Sequence, residues 1–146
     1  MSDIEYRLAI PEAAAFVALF ESTGWDPEGR LTVDAARDAL AHTWCAVSAY
    51  DHDRLVGTGR VVGDGHIHAL LSDVIVDPDY QGRGIGSAIV EQLVVECRRA
   101  RIFYTQLFAA TGVRPFYERL GFVARQDDAP GMQLVETGPA ARVSIP

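Results

Sequence analysis

No lysine occurs among the 146 residues, so all thirteen basic side chains are arginines. That absence removes the Gly-Lys-Ser/Thr phosphate loop and with it a Walker-type nucleotidase. Cysteine is scarce too. Cys45 and Cys97 are too few for a disulfide framework, and with no metal-ligand spacing around them they read as two buried thiols, without a metal. Hydrophobic runs are too short to cross a bilayer, and Met1-Ser2-Asp3-Ile4-Glu5 lacks the basic and apolar regions of a signal peptide, which predicts a cytoplasmic protein with no membrane partner. Positive charge is in deficit. A formal charge of −7 speaks against nucleic acid as a partner and mildly favours cationic substrates. Repeats, linkers and low-complexity tracts are missing, and with 49% hydrophobic and 23% charged residues the composition predicts one domain with one core over residues 1–137. The tail Gly138 to Pro146 carries no pattern that places it, and both disorder and contact with a partner chain stay open.

The stretch Val74-Ile75-Val76-Asp77-Pro78-Asp79-Tyr80-Gln81-Gly82-Arg83-Gly84-Ile85-Gly86-Ser87 is what the chain does have. It passes from a β-branched strand through a proline turn and three alternating glycines into an amphipathic segment. Glycines at 82, 84 and 86 leave no side chain between the backbone and an approaching ligand, so successive N–H groups can converge on one anion. Ile85, Ala88, Ile89, Leu93 and Cys97 recur at helical spacing, and Arg98, Arg99 and Arg101 gather where the helix dipole is negative. The other end of that helix points its free N–H groups at the glycines, which favours a phosphate or pyrophosphate. A tight strand-to-helix turn is the competing reading of the glycines alone. The dinucleotide fingerprint does not fit, because the third glycine follows the second by two residues and Phe103 to Phe108 offers no acid.

The spacing resembles motif A of the GCN5-related N-acetyltransferases: Gln or Arg, two residues, Gly, one residue, Gly or Ala, matched by Gln81, Gly84 and Gly86. Arg114-Pro115-Phe116-Tyr117-Glu118-Arg119-Leu120-Gly121-Phe122 is similar to motif B of the same family, a short helix with a tyrosine closed by Gly-Phe. The two motifs and the preceding strand cover residues 67–124. The resemblance implies an α+β fold of α/β/α type, a mixed and mostly antiparallel sheet packed between helices.

Local patterns supply the same order of elements. Strands are expected over 4–8, 44–50, 55–62, 67–76, 103–108 and 132–135. Helices are expected from Pro11 to Glu21, from Val33 to Ala41 behind a Thr32 cap, over 84–100 and over 113–120. Turns fall at Asp51-His52-Asp53 and Gly63-Asp64-Gly65.

The resemblance further implies acetyl-CoA as cosubstrate, lying where parallel strands 67–76 and 103–108 splay apart. It places Val74, Ile75 and Val76 beside the thioester, with a backbone N–H there polarising the carbonyl. It sets the pyrophosphate on Gly82, Arg83, Gly84, Ile85, Gly86 and Ser87, with the side chain of Gln81 near the loop and Arg83 either binding phosphate or solvated. Tyr117 is implied as the general acid for the departing thiolate, against a structural alternative in which Phe122 packs on Tyr117 or Phe116 beyond a left-handed Gly121. Asp73 is the candidate base, on the face that alternation gives to Leu71 and Ile75; it could instead bind the substrate ammonium or serve a structural role. His66 and His68 match no catalytic pair in register: arylalkylamine N-acetyltransferases place paired histidines where this chain has Leu70 and Ser72, so these two are expected to flank a turn. The asparagine that many members place seven residues before the tyrosine is Ala110 here. Trp25 to Glu28 and Asp127 to Met132 are the stretches that could meet the acceptor, or be ordinary loops. The expected acceptor is a small-molecule amine, with a protein amine or non-catalytic acyl-CoA binding as alternatives. Homodimers are frequent in the family.

Overall fold

Ile4 and Tyr6 turn inward and Glu5 and Arg7 outward, which makes strand β1 (Ile4–Arg7). The structure, a computed structural model, describes residues 3–134. These divide into two compact units between Leu107 and Phe108; the expected domain end at 137 and the tail 138–146 lie outside the described residues.

In the first unit, helix α1 (Ala13–Glu21) begins later than Pro11 predicts. Glu12 is the cap. Its two carboxylate oxygens accept from Ala14 N at 3.0 Å and Ala15 N at 2.9 Å, so it satisfies two of the helix's orphan donors and leaves Pro11 outside the cap. These bonds hold the Glu12 carboxyl below its usual range. Thr32 caps α2 (Val33–Ala41) as expected, accepting from Ala35 N at 3.1 Å. Phe16, Val17, Ala36 and Leu40 join the two helices in one apolar cluster.

Strands β2 (Cys45–Asp51), β3 (Arg54–Gly63) and β4 (His68–Val76) follow β1 in an antiparallel meander. Helix α3 (Ile85–Arg99) then carries the chain to β5 (Tyr104–Leu107), which pairs with β4 in parallel and completes the five-stranded sheet. The sheet is therefore mixed and mostly antiparallel. The parallel register runs from His68↔Tyr104 to Leu71↔Leu107 and stops, while β4 continues to Val76. Within this unit residues 72–76 have no β5 beside them. The sequence resemblance implies that the two strands splay apart, and their pairing ends at Leu71 and Leu107.

Helices cover both faces. A Cβ on Gly59 would lie 2.7 Å from Ile89 Cγ2 and 3.1 Å from Leu93 Cδ1, so the missing side chain is what lets α3 settle on β3. On the opposite face Arg60 reaches the Ala39 carbonyl of α2, and Leu55 and Ile75 pack with Leu19 of α1. The buried stripe of α3 is Ile85, Ile89, Val90, Leu93 and Cys97. Cys97 is buried and Cys45, half-buried at the start of β2, has its thiol pushed up to about 11 by burial; both are free.

The second unit holds helix α4 (Arg114–Arg119). Gly121 has φ 95°, and the N–H groups of Gly121 and Phe122 return to the carbonyls of Glu118 and Tyr117, both at 3.1 Å. This is the left-handed stop expected there. The strand expected over 132–135 does not form at Met132 to Leu134, where three alternating residues supply too few cross-strand pairs; Val135 lies outside the described residues. No helix among the described residues is long and apolar enough to cross a membrane.

Candidate active site

Of the three alternating glycines, two are required by backbone conformation. Gly82 and Gly84 have φ 74° and 79°, a region that crowds the Cβ of any L-residue against the backbone. Gly86 lies in the first turn of α3 and is helical. Gly84 is the cap of α3 and has no side chain to offer, and no acceptor among the described residues takes the N–H groups of Gly82 to Ser87. A 15-residue helix thus presents its positive end and a run of free donors at one exposed place, which suits a diphosphate.

What holds this loop was not legible from its own residues. Asp77 caps the 3-10 turn Pro78–Tyr80 by accepting from Asp79 N at 2.9 Å, and its other oxygen pairs with Arg54 at 2.7 Å. The Asp77 N–H donates to the Val56 carbonyl at 2.8 Å. The Tyr80 hydroxyl donates to Asp51 Oδ2 at 2.6 Å, a bond that raises the phenol's pKa. Asp51 and Arg54 flank the β2–β3 hairpin, so the hairpin grips the loop from a distance of more than twenty residues in sequence. Gln81 Nε2 donates to the Val76 carbonyl at 3.0 Å, and Arg83 donates to the Asp79 carbonyl at 2.8 Å with its guanidinium 4.8 Å from the Tyr80 ring. Both side chains brace the loop from within.

The strand leading into the loop is irregular where the sequence predicts alternation. Thr58 pairs with Ile75 and Arg60 with Ser72, so Gly59 alone faces both Asp73 and Val74. This is a β-bulge, and Asp73 sits in it with φ 52°. The expectation that Asp73 shares a face with Leu71 and Ile75 is corrected by the extra residue. Leu71 pairs with Val61, two residues along β3 from Gly59 on the α3 face, while Ile75 packs against Leu19 and Leu55 on the other. Asp73 Oδ2 accepts from Arg60 Nε at 2.6 Å. Ile75 is buried, and Val74 and Val76 are half-buried. An aspartate inside a β-branched run was the available signal, since Asp is among the few residues that enter positive φ readily.

In the second unit, Tyr117 packs edge-to-face on Phe116 at 4.9 Å and on Phe122 at 5.9 Å between ring centroids. Of the two rings that Phe122 was expected to meet, it is Tyr117. Burial pushes its phenol above the ordinary value, so the hydroxyl stays a donor at physiological pH. His66 does flank a turn, in which Asp64 Oδ1 accepts from the N–H groups of His66, Ile67 and His68, at 2.7, 2.7 and 3.2 Å. His68 stacks on Tyr104 at 5.4 Å. Trp25 packs against Phe20 and the Leu19, Leu55 and Ile75 cluster. Asp26 is spent on the Leu31 N–H and Glu28 on Arg30. In the other stretch Gly131 lies against Phe108. Among the described residues no cluster of His, Cys, Asp and Glu could hold a metal ion.

Comparison with known proteins agrees with this geometry. Residues 40–124 match the family model described as the acetyltransferase (GNAT) domain. The chain is 34% identical over 118 residues to an uncharacterized N-acetyltransferase, ycf52, of the alga Porphyra purpurea, covering 78% of this chain and 66% of the alga's. It is 34% identical over 126 residues to Histone acetyltransferase TAP1 of Glycine max, covering 79% and 53%. This chain thus spans two thirds or less of the curated relatives it matches. Among solved structures, a probable acetyltransferase of meticillin-resistant Staphylococcus aureus superposes with TM-score 0.81 and 30% identity over 90% of this chain and 98% of its own. A GNAT family acetyltransferase of Streptococcus pneumoniae gives TM-score 0.77 and 27% identity over 94% and 100%. With the mixed sheet, its parallel β4–β5 pairing and the glycine loop at the head of α3, these matches show that the chain belongs to the GNAT acetyltransferase family.

Proposed function

We propose that this chain transfers the acetyl group of acetyl-CoA to a primary amine, most directly a small-molecule amine, in a ternary complex. The observation that carries the reading is the run of N–H groups from Gly82 to Ser87 that no acceptor among the described residues takes, at the positive end of α3 and one turn beyond the part of β4 that β5 does not pair. Acetyl-CoA supplies the acetyl group activated as a thioester. The chain's own groups then divide the work. The N–H donors of residues 82–87 hold the pyrophosphate, and a backbone N–H within Val74 to Val76 donates to the carbonyl oxygen as charge develops on it. The amine nitrogen bonds to the carbonyl carbon and loses its proton to water, and as the C–S bond breaks the Tyr117 hydroxyl gives its proton to the departing sulfur. Trp25, packed on the same cluster as Ile75, is the aromatic surface we assign to the acceptor side. We place the reaction in the cytosol, although the relatives include chloroplastic proteins.

The names of relatives point in two directions, one a histone acetyltransferase and another Serotonin N-acetyltransferase 2 of Oryza sativa, 38% identical over 100 residues. A thiol-release assay with acetyl-CoA across aryl, alkyl and polyamines, amino acids and peptides decides between them. Release with small amines is expected, together with a rise in melting temperature on adding CoA. Release with peptides alone would transfer the assignment to protein acetylation. Stabilisation by CoA without release from any amine would leave a binding module.

The hairpin grip adds a second expectation. Tyr80→Phe removes the charge-assisted hydrogen bond to Asp51 and loosens the loop without touching the thioester end. The KM for acetyl-CoA should rise by roughly three- to tenfold with kcat little changed. Steady-state kinetics at saturating amine measure the split, and an unchanged KM would free the loop from dependence on the hairpin.

A further inference from the structure

We propose that Arg60 and Asp73 form a positioning pair: the guanidinium holds the β4 bulge, and the bulge sets the backbone of Val74 to Val76 in the conformation that acetyl transfer requires. The role assigned to that backbone rests on the function proposed above. The positioning itself rests on geometry. Asp73 has φ 52° at the point where one residue of β3 faces two of β4. Left alone, such a residue relaxes toward extended backbone, and a strand that loses its extra residue shifts register and turns every following side chain to the other face.

Arg60 opposes this through three contacts. Its Nε donates to Asp73 Oδ2 at 2.6 Å, and Nη1 donates to the Ala39 carbonyl and to Thr43 Oγ1, each at 3.2 Å. The last turn of α2, the turn after it and the bulge are thereby tied to one planar group. Only 18% of the Arg60 side chain and 20% of the Asp73 side chain are exposed, so solvent screens the pair weakly. Ion pairs on the outer surface, such as Arg37 with Asp34, lack this shielding and reach only along their own helix. Beyond the bulge, Ile75 is locked against Leu19 and Leu55, which transmits the position of Asp73 to the next residues.

In this pair Asp73 serves by holding positive φ, a conformation that costs a residue with a Cβ and that the bond to Arg60 offsets, rather than by proton abstraction; a glycine there would not need the bond. Three variants separate these roles. Asp73→Gly keeps positive φ without a carboxylate, Asp73→Val disfavours positive φ and removes the carboxylate, and Arg60→Met removes the guanidinium at similar length. For each, thiol release gives kcat and the KM for acetyl-CoA, and the backbone amide resonances of Gly57, Thr58, Ile75 and Val76 in the ligand-free protein report the bulge. Asp73→Val and Arg60→Met are expected to lose about tenfold or more in kcat with KM within about twofold, because the glycine loop is untouched. Their amide resonances should move. Asp73→Gly should keep kcat within about threefold of wild type and its resonances in place.

The idea is overturned if Asp73→Gly is as inactive as Asp73→Val while its resonances stay put, since the carboxylate itself would then do the chemistry. Wild-type kcat in the valine variant overturns it equally. A wild-type chain that releases no thiol would defeat the functional reading instead. In that event the resonances alone judge the pair: movement in the valine and methionine variants but not in the glycine variant supports it, and no movement overturns it.

Discussion

Replacing Gly84 by valine is expected to lower affinity for CoA by roughly tenfold to a hundredfold, the loss of one charge-assisted hydrogen bond of about 1.5–3 kcal/mol. The cause is conformational. Gly84 holds φ 79° and is the residue from which α3 starts, so the direction of the first free N–H groups depends on a backbone state that L-residues reach at a cost of about 1–2 kcal/mol. A β-branched residue is worse placed than alanine there, because both of its branches crowd the backbone. Relaxing φ rotates the loop and turns its donors away from a common point. Stability should fall as well, by about 2–4 °C in melting temperature for each kcal/mol at this chain length. The two effects are separable by isothermal titration with CoA well below the melting temperature. Undiminished CoA affinity in a folded Gly84→Val protein would remove the pyrophosphate from this loop. Gly86→Ala is the useful companion, because Gly86 is helical and alanine favours helix.

Tyr117→Phe is expected to reduce kcat by tenfold or more, about 1.4 kcal/mol of transition-state stabilisation or greater, with the KM for acetyl-CoA unchanged. The substitution is clean because the ring survives. Phenylalanine retains the edge-to-face contacts with Phe116 and Phe122, and the left-handed stop at Gly121 uses only backbone groups. What disappears is one hydroxyl. Burial raises the pKa of that hydroxyl above the ordinary tyrosine value, so the neutral donor form is the populated one at physiological pH, and loss of this acid should not limit kcat there. A turnover number equal to wild type would remove Tyr117 from the mechanism and leave it as a packing ring.

Much of the donor end could be read from the chain because it depends on residues close together in sequence. Gly84 as the start of α3, the stripe Ile85, Ile89, Leu93 and Cys97, the Thr32 cap and the Gly121 stop all follow from spacing of a few residues. The failures have the same origin. Pro11 looked like a first-turn residue because proline suits that place, and the Glu12 carboxylate took the cap because it satisfies donors that proline cannot. Alternation put Asp73 with Leu71 and Ile75, and a bulge set by pairing with β3 undid it.

The sequence by itself determined the family, the order of elements and the loop that suits the donor's diphosphate, because glycine conformation, helix periodicity and capping are local properties of the chain. Only the tertiary structure decided how that loop is held and which way Asp73 faces. Arg54 with Asp77, Tyr80 with Asp51 and Arg60 with Asp73 join residues 23, 29 and 13 positions apart. Such pairs exist only once strand register has brought β2, β3 and β4 side by side, and register is a property of the whole sheet.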